Sequence, residues 1–256
     1  MPTPIDRDTL VAWIDRYLFV ADYADYSPIG LQVEGTPHIT KVALGVSAHL
    51  ELIDAAVAWG ADALIVHHGF FWKGESPVLR GWRRDRIKAL LLADLNLASY
   101  HLPLDGHPEV GNNARIADLL GFPAEGRTLF ARAGKASIGV LARAEPRPAA
   151  AIFEALEQAF GPGAIVFPHG PAEVDTIAIV TGSGASYFEE ARELGAQLFI
   201  TGEGREPTMA EARETRTHFV AAGHYNTETV GVQALGARLA EEFGLEVRFF
   251  PFPNPV

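Results

Sequence analysis

The sequence predicts an α/β protein built from two related α/β units, with a metal site in the cleft between them. Three observations predict it. Short apolar strands alternate with helical segments along the chain. One strand–helix–strand stretch is echoed 135 residues later. Two later strands run into the same polar ending, His-x-x-x-carboxylate.

Leu10, Ile14, Tyr17 and Leu18 share one helical face, which predicts an amphipathic helix over 7–21. The turn-rich run Asp25-Tyr26-Ser27-Pro28-Ile29-Gly30 follows. Residues 42–46 and 63–66 read as buried strands flanking a helix over 50–59, which Gly60 suits as a C-terminal cap. The second of these strands leads straight into His67-His68. A helix over 84–94 and a strand over 97–100 come next. Asn112 or Asn113 suits the cap of a helix ending before Gly121. Residues 122–136 read as a connection, followed by a helix near 148–160 and a Gly/Pro turn at 161–163. The expected division is a first unit over 1–122 and a second over 123–222. The remaining segment, 223–256, is expected to pack on the first unit.

Laid over 177–203, residues 42–68 match without a gap. Val42-Ala43-Leu44 meets Ile177-Ala178-Ile179, and Gly60-Ala61 meets Gly195-Ala196. Each copy then reaches a short strand, 97–100 or 219–222, and a tetrad ending: His101 to Asp105, or His224 to Glu228. Apolar matches alone are weak, because strand–helix–strand units resemble one another. The paired polar endings make a duplication the better explanation. Ligands of α/β sheets bind at carboxyl ends of strands, where these residues fall.

With 256 residues, 48% hydrophobic, the chain has ample material for a core. Its net charge of −11 disfavours nucleic acid and anionic lipid as partners. It has no cysteine, which excludes disulfides, thiolate catalysis and iron–sulfur ligation. Any metal must use imidazole and carboxylate. The N-terminal residues 1–8 lack the pattern of a secretion signal, and no stretch has the roughly 20 apolar residues of a membrane span. A cytoplasmic protein is expected.

His67 and His68 sit at a strand's carboxyl end, followed by Gly69. By itself the pair reads equally as structural histidines. Asp105 by itself reads as a turn residue, Glu228 as a first-turn carboxylate favoured by a helix dipole, and His224 as a solvated loop residue. One cause accounts for all five: a site for two divalent cations, Zn²⁺, Fe²⁺, Mn²⁺ or Ni²⁺. His101 is ranked as a general acid/base or supporting residue ahead of a ligand. Tyr100 and Glu203 are lesser candidates. The run Thr181-Gly182-Ser183-Gly184-Ala185-Ser186 reads as a tight turn rather than a phosphate loop.

These residues resemble a known family over nearly the whole chain: the GTP cyclohydrolase type 2 homologues, or Nif-three-like proteins with a dinuclear metal centre. The matching segments are Gly30-Leu31-Gln32-Val33-Glu34-Gly35, Gly60 to Gly69 with Phe71-Trp72-Lys73-Gly74, and His101-Leu102-Pro103-Leu104-Asp105 with Gly111-Asn112-Asn113. Thr201-Gly202-Glu203, Ala222-Gly223-His224 with Thr227-Glu228, and Pro253-Asn254-Pro255 complete the set. The resemblance implies two α/β halves, a dinuclear site in a toroidal homohexamer, and ligand roles for His67, His68, Asp105, His224 and Glu228. It does not assign GTP as the substrate.

Two functions follow as expectations. One is a metal-dependent hydrolase acting on a small molecule, with nucleotides or phosphoesters as the class. The alternative is non-catalytic: metal storage, delivery or cofactor assembly, or a ring-shaped scaffold with structural metals.

Overall fold

The computed structural model describes residues 3–256. Met1 and Pro2, which begin the stretch read above for a secretion signal, lie outside the described residues. The strands of the first half are β1 (Ile5–Asp6), β2 (Gly30–Val33), β3 (His38–Ile39), β4 (Lys41–Ser47), β5 (Ala63–His68) and β6 (Asn96–Ser99). Then come β7 (Thr128–Ala133), β8 (Ala136–Pro148), β9 (Ile165–Pro168), β10 (Glu173–Val180), β11 (Leu198–Thr201), β12 (His218–Ala221) and β13 (Glu246–Phe249). The helices are α1 (Arg7–Tyr17), α2 (Leu50–Trp59), α3 (Trp82–Leu92), α4 (Leu102–Gly106) and α5 (Asn112–Leu119). They continue with α6 (Ala149–Phe160), α7 (Phe188–Glu193), α8 (Thr208–Thr215), α9 (His224–Thr227) and α10 (Thr229–Phe243).

The chain forms two compact units. One comprises residues up to Leu104 together with Val232–Phe252; the other comprises Asp105–Gly231 with Pro253–Val256. The first is organised on a sheet of order β13-β4-β5-β6-β2, parallel except for β2. A parallel strand covered on both faces must be apolar throughout, and residues 42–46 of β4 are all buried. Helix α2 supplies Leu52, Ile53 and Ala56 to a core with Leu64, Val66 and Leu97. Gly60, at φ 74°, ends α2 in the left-handed region where a Cβ is disfavoured.

The second unit is organised on a sheet of order β7-β8-β10-β11-β12-β9. Strands β10, β11 and β12 are parallel, and β7, β8 and β9 are antiparallel additions. Its core joins Ile177, Ile179, Leu198 and Ile200 from the sheet to Ile152 and Leu156 of α6 and Ile116 of α5.

The duplication extends to individual bonds in the central strands. Val42 pairs with Ala63 and Leu44 with Ile65; 135 residues on, Ile177 pairs with Leu198 and Ile179 with Ile200. The Asp62 N–H donates to the Lys41 carbonyl, as Gln197 does to Thr176. The two helix ends also agree: Ala61 to Ala56 and Ala196 to Ala191. The repeat begins earlier than the sequence match suggested, because β2 and β9 take the same antiparallel place beside β6 and β12. Gly30 pairs with Ser99, and Ile165 with Ala221.

Several local expectations are corrected. The opening helix stops at Tyr17, where Phe19 turns left-handed and a 3-10 turn, Val20–Asp22, follows. The segment 122–136 is not only a connection, because β7 forms a hairpin with β8 there. Gly111, not Asn112 or Asn113, holds the cap position of α5; both asparagines lie buried in its first turn. Pro103-Leu104-Asp105-Gly106 is not an isolated turn but part of α4. Among the described residues, no helix is long and apolar enough to cross a membrane.

Candidate metal centre

In the first unit, β5 and β6 bring three imidazoles together. His67 and His68 are the last two residues of β5, and His101 lies two residues beyond the end of β6. Ring centroids of His67 and His68 are 4.7 Å apart, those of His67 and His101 5.0 Å, and those of His68 and His101 5.4 Å. One ring nitrogen from each lies within 4.8 Å of the other two. Adjacent residues of an extended strand face opposite ways. Here β5 ends at His68, and both rings gather beside His101.

Each of the three rings is held at Nδ1. His67, fully buried, donates from Nδ1 to the Tyr100 carbonyl at 3.1 Å. A carbonyl only accepts, so Nδ1 carries the proton and Nε2 the lone pair. His68 Nδ1 shares a hydrogen bond with Ser47 Oγ at 3.0 Å. His101 Nδ1 meets Asp25 Oδ1 at 2.8 Å, and that carboxylate also accepts from the N–H groups of Leu102 and Tyr26. Burial pushes the Asp25 carboxyl up, but the His101 hydrogen bond and charge, with the two N–H groups, hold it below its ordinary value. Such bonds orient histidine ligands and select the nitrogen presented.

The second unit gathers acids. Asp105, buried, accepts at Oδ1 from Asn112 Nδ2 (2.9 Å) and Thr181 Oγ1 (3.0 Å). Asn113 fixes the surrounding backbone, donating to the Ile138 carbonyl at 2.6 Å and accepting from the Thr181 N–H at 2.8 Å. His224 opens α9 and lies between two carboxylates: Nδ1 meets Glu203 Oε1, and Nε2 is 3.1 Å from Glu228 Oε1. Burial lowers the His224 pKa, but Glu228 and Glu203 outweigh it and raise it to about 9. Thr227 Oγ1 accepts from the Gly182 N–H and donates to the His224 carbonyl, tying α9 to the 181–184 turn.

That turn is more than a connection. Gly182 sits at φ 62°, and a Cβ there would lie 2.3 Å from Glu228 Oε1 and 3.1 Å from His224 Nε2. Any other residue would force those two side chains to shift. Glu203, ranked low from sequence, is a direct partner of His224. The strand register also revises the tetrad match: Ser99 of β6 corresponds to Ala221 of β12, so His101 aligns with Gly223, one residue short of His224.

Sequence reasoning missed the residues that hold these donors: Asp25, Ser47, Thr181, Gly182 and Thr227. Asp25 lies 76 residues from its histidine, and no local spacing marks it. Only Ser47 and Gly182 had an available signal, because the 135-residue offset superposes them.

The model of the Duf34/NIF3 (NGG1p interacting factor 3) family matches residues 5–255. A Yersinia pestis protein named GTP cyclohydrolase 1 type 2 homolog is 45% identical, covering 94% of this chain and 96% of its own. A Pseudomonas aeruginosa protein of the same name is 44% identical over 98% and 99%. The solved structure of a protein called ybgI, of unknown function, has a TM-score of 0.91 at 42% identity, covering 98% of this chain and all of its own. That of TTHA1606 from Thermus thermophilus scores 0.89 at 36% identity with the same coverage. With a family match that starts in β1 and ends within the C-terminal Pro-Asn-Pro, and with relatives aligned over nearly their full lengths, the chain belongs to the Duf34/NIF3 family.

Proposed function

We propose that His67, His68, Asp105, His224 and Glu228 together hold two divalent cations, and that this centre hydrolyses a small substrate of the phosphoester or nucleotide class. The observation that carries the reading is the shared pose of the first unit's histidines. Each is engaged at Nδ1 by a protein oxygen, and all three offer ring nitrogens to one small volume.

The donors suit such cations. Imidazole nitrogen and carboxylate oxygen, without thiolate, match Zn²⁺, Fe²⁺, Mn²⁺ or Ni²⁺. The carbonyl behind His67, and the amide and hydroxyl behind Asp105, are the kind of support that metal ligands carry. Three imidazoles, His67, His68 and His224, supply neutral donors, and Asp105 and Glu228 supply the anionic ones, which offset part of the charge of two dications. When bound, such a pair lowers the pKa of water and polarises a substrate oxygen.

The chain's own residues supply the remainder. His101, held by buried Asp25, takes and returns a proton at Nε2. Asn112 and Thr181 keep Asp105 aimed, and Glu203 orients His224. The family resemblance supports a homohexamer, which light scattering checks as six times the 27.6 kDa chain.

The test is metal analysis of protein purified without chelator, then reloaded with Zn²⁺, Mn²⁺ or Fe²⁺ and assayed on phosphoesters and nucleotides. The expected result is two ions per chain and turnover that Asp105→Asn abolishes without unfolding the protein. Stoichiometric, rapidly exchanging metal with no turnover would overturn the hydrolase reading in favour of metal handling. Unfolding on metal removal would favour a structural role.

A further inference from the structure

The first unit contains a cavity of about 460 Å³ that the histidine cluster does not account for, lined in part by Phe71, Trp72, Leu79, Trp82, Arg83 and Arg86. That volume is in the range of sites for small organic ligands. Its position in the duplication is informative. The offset between the repeats is 135 at β5 and β11, where Ala63 matches Leu198. It falls to 122 at β6 and β12, where Asn96 matches His218. The first unit therefore has thirteen more residues between these strands. Most of them lie in the 69–81 loop, which forms one wall of the cavity. Loops added to a fixed scaffold are where binding specificity is built.

Three features of the lining point to one ligand chemistry. The walls are largely aromatic and apolar, with Glu75 and Ser76 also lining them, and Phe71 is 46% exposed although it is a large hydrophobic residue. Phe71 is also held at φ 66°, a left-handed conformation that costs a bulky residue energy and clusters at ligand sites. The third feature is a guanidinium with no anion. Arg83 pairs with Glu75 at 2.9 Å, but among the described residues no carboxylate pairs with Arg86. Arg86 instead stacks on the Trp82 ring, 4.6 Å from its centroid. Burial lowers its pKa, and only the Glu75 charge opposes that. A neutral apolar ligand would leave Arg86 uncompensated, and a bare inorganic anion would leave the aromatic walls wet.

Trp72 joins the cavity to the histidines. It lines the cavity, and its ring lies 5.1 Å from His101 and 5.9 Å from His68, edge-on to both. We propose that this cavity is the recognition subsite for the non-reacting part of the substrate: a planar aromatic group of the nucleotide class, packed against Phe71 and Trp72, with its anionic group on Arg86. The assignment of the reacting part rests on the hydrolytic reading above; the binding chemistry of the cavity does not.

The test is direct binding to the full chain as purified, by calorimetry and tryptophan fluorescence, using adenosine 5′-monophosphate, adenosine and ribose 5-phosphate. The monophosphate should bind about tenfold or more tightly than either fragment, as expected for a charge-assisted pair added to aromatic packing. Arg86→Ala should bring the monophosphate down to the affinity of adenosine and leave adenosine unchanged. Phe71→Ala should weaken both. Arg86→Lys, which keeps the charge and loses the planar fork, should fall between wild type and alanine, and it serves if the alanine variant does not fold. Monophosphate binding that is indifferent to Arg86 and Phe71, or equal to that of ribose 5-phosphate, overturns the proposal. Turnover with a KM untouched by Arg86→Lys would sink the subsite and leave the hydrolase. Arg86-dependent binding with no turnover on any metal would do the reverse.

Discussion

Strands β4 and β5 of the first unit and β10 and β11 of the second pair in the same register, yet they end differently. One pair finishes in Ser47 and His67-His68; the other reaches Gly182 and Gly202-Glu203. The bonds that build the frame are retained, from the strand-entry bond of Asp62 and Gln197 to the glycine-capped helix ends. The changes fall on the carboxyl ends, where a sheet presents side chains without supporting its core. Ser47 reaches His68, while Gly182, which has no side chain, leaves room for Glu228 and His224. One frame has thus become a presenter of imidazoles, while the other sets carboxylates around a single imidazole, His224.

The sharpest way to break that division is to give the first copy the second copy's residue. His68→Glu puts an acid where Glu203 sits in the repeat. The substituted side chain is only half-buried, so the fold should survive, as circular dichroism can check. Metal content and any metal-dependent turnover should fall about 100-fold or more, since losing even a supporting partner costs about 10–100-fold. Ser47→Ala removes only the bond behind His68 and should cost about tenfold by the same scale. Full metal occupancy in His68→Glu would show that the division of donors is incidental.

A second comparison is between two glycines with positive φ. Gly182→Ala adds a Cβ 2.3 Å from Glu228 Oε1, while Gly60→Ala meets nothing within 4 Å. Both pay the left-handed penalty of about 1–2 kcal/mol. The clash adds about 1–3 kcal/mol at Gly182 alone. Urea denaturation should therefore rank Gly182→Ala as clearly the more damaging. Equal losses would mean that the 181–184 turn yields freely and does not hold the acidic set.

Much of the frame is legible in the sequence because parallel strands buried on both faces must be apolar without interruption, and glycines that end helices stand out. Leu50–Trp59 with Gly60 is legible for that reason. Strand β7 is not: Thr128, Leu129 and Arg132 are exposed, so its pattern lacks the apolar run that marks the central strands. The candidate ligand residues stand out in the sequence only as a set, because each taken singly has an ordinary structural reading. Their supports are not, because Asp25 and Thr181 act across long separations through single hydrogen bonds, and a lone Asp or Thr in a turn has many ordinary explanations. Phe71 is the converse case, an ordinary-looking aromatic whose strain appears only in its backbone angle.

The strand-entry bond permits a finer comparison. Asp62 Oδ2 accepts from the N–H groups of Thr40 and Lys41 at 2.7 and 2.9 Å and from the Thr40 hydroxyl. Gln197 Oε1 accepts from Asp175 and Thr176, the matching residues, at 2.8 and 3.4 Å. The same geometry is charged in one unit and neutral in the other. Charge-assisted bonds are worth about 1.5–3 kcal/mol and neutral ones about 0.5–1.5 kcal/mol. Asp62→Ala should therefore cost more stability than Gln197→Ala, by about 1 kcal/mol. The reverse order would indicate that the two bonds are not equivalent parts of a repeated frame.

The smallest effect separates the two copies at the start of their helices. His49 caps α2, its Nδ1 accepting from the Leu52 N–H at 3.3 Å, whereas the corresponding Gly184 has no side chain to do so. An imidazole accepts at Nδ1 only while that nitrogen is unprotonated. Burial lowers the His49 pKa, the Arg86 charge lowers it further, and Glu51 opposes both. A depressed folded-state pKa means that folding favours the neutral ring. Its contribution is therefore complete above the unfolded value of about 6.5 and is lost as pH falls through the lower folded value. The loss should be about 0.5–1 kcal/mol, the scale of one weak cap. His49→Asn, which caps without titrating, should flatten this part of the stability–pH curve and leave the rest. An unchanged slope would place the titrating group elsewhere, and the first helix would then differ from the second in cap chemistry without differing in its response to acid.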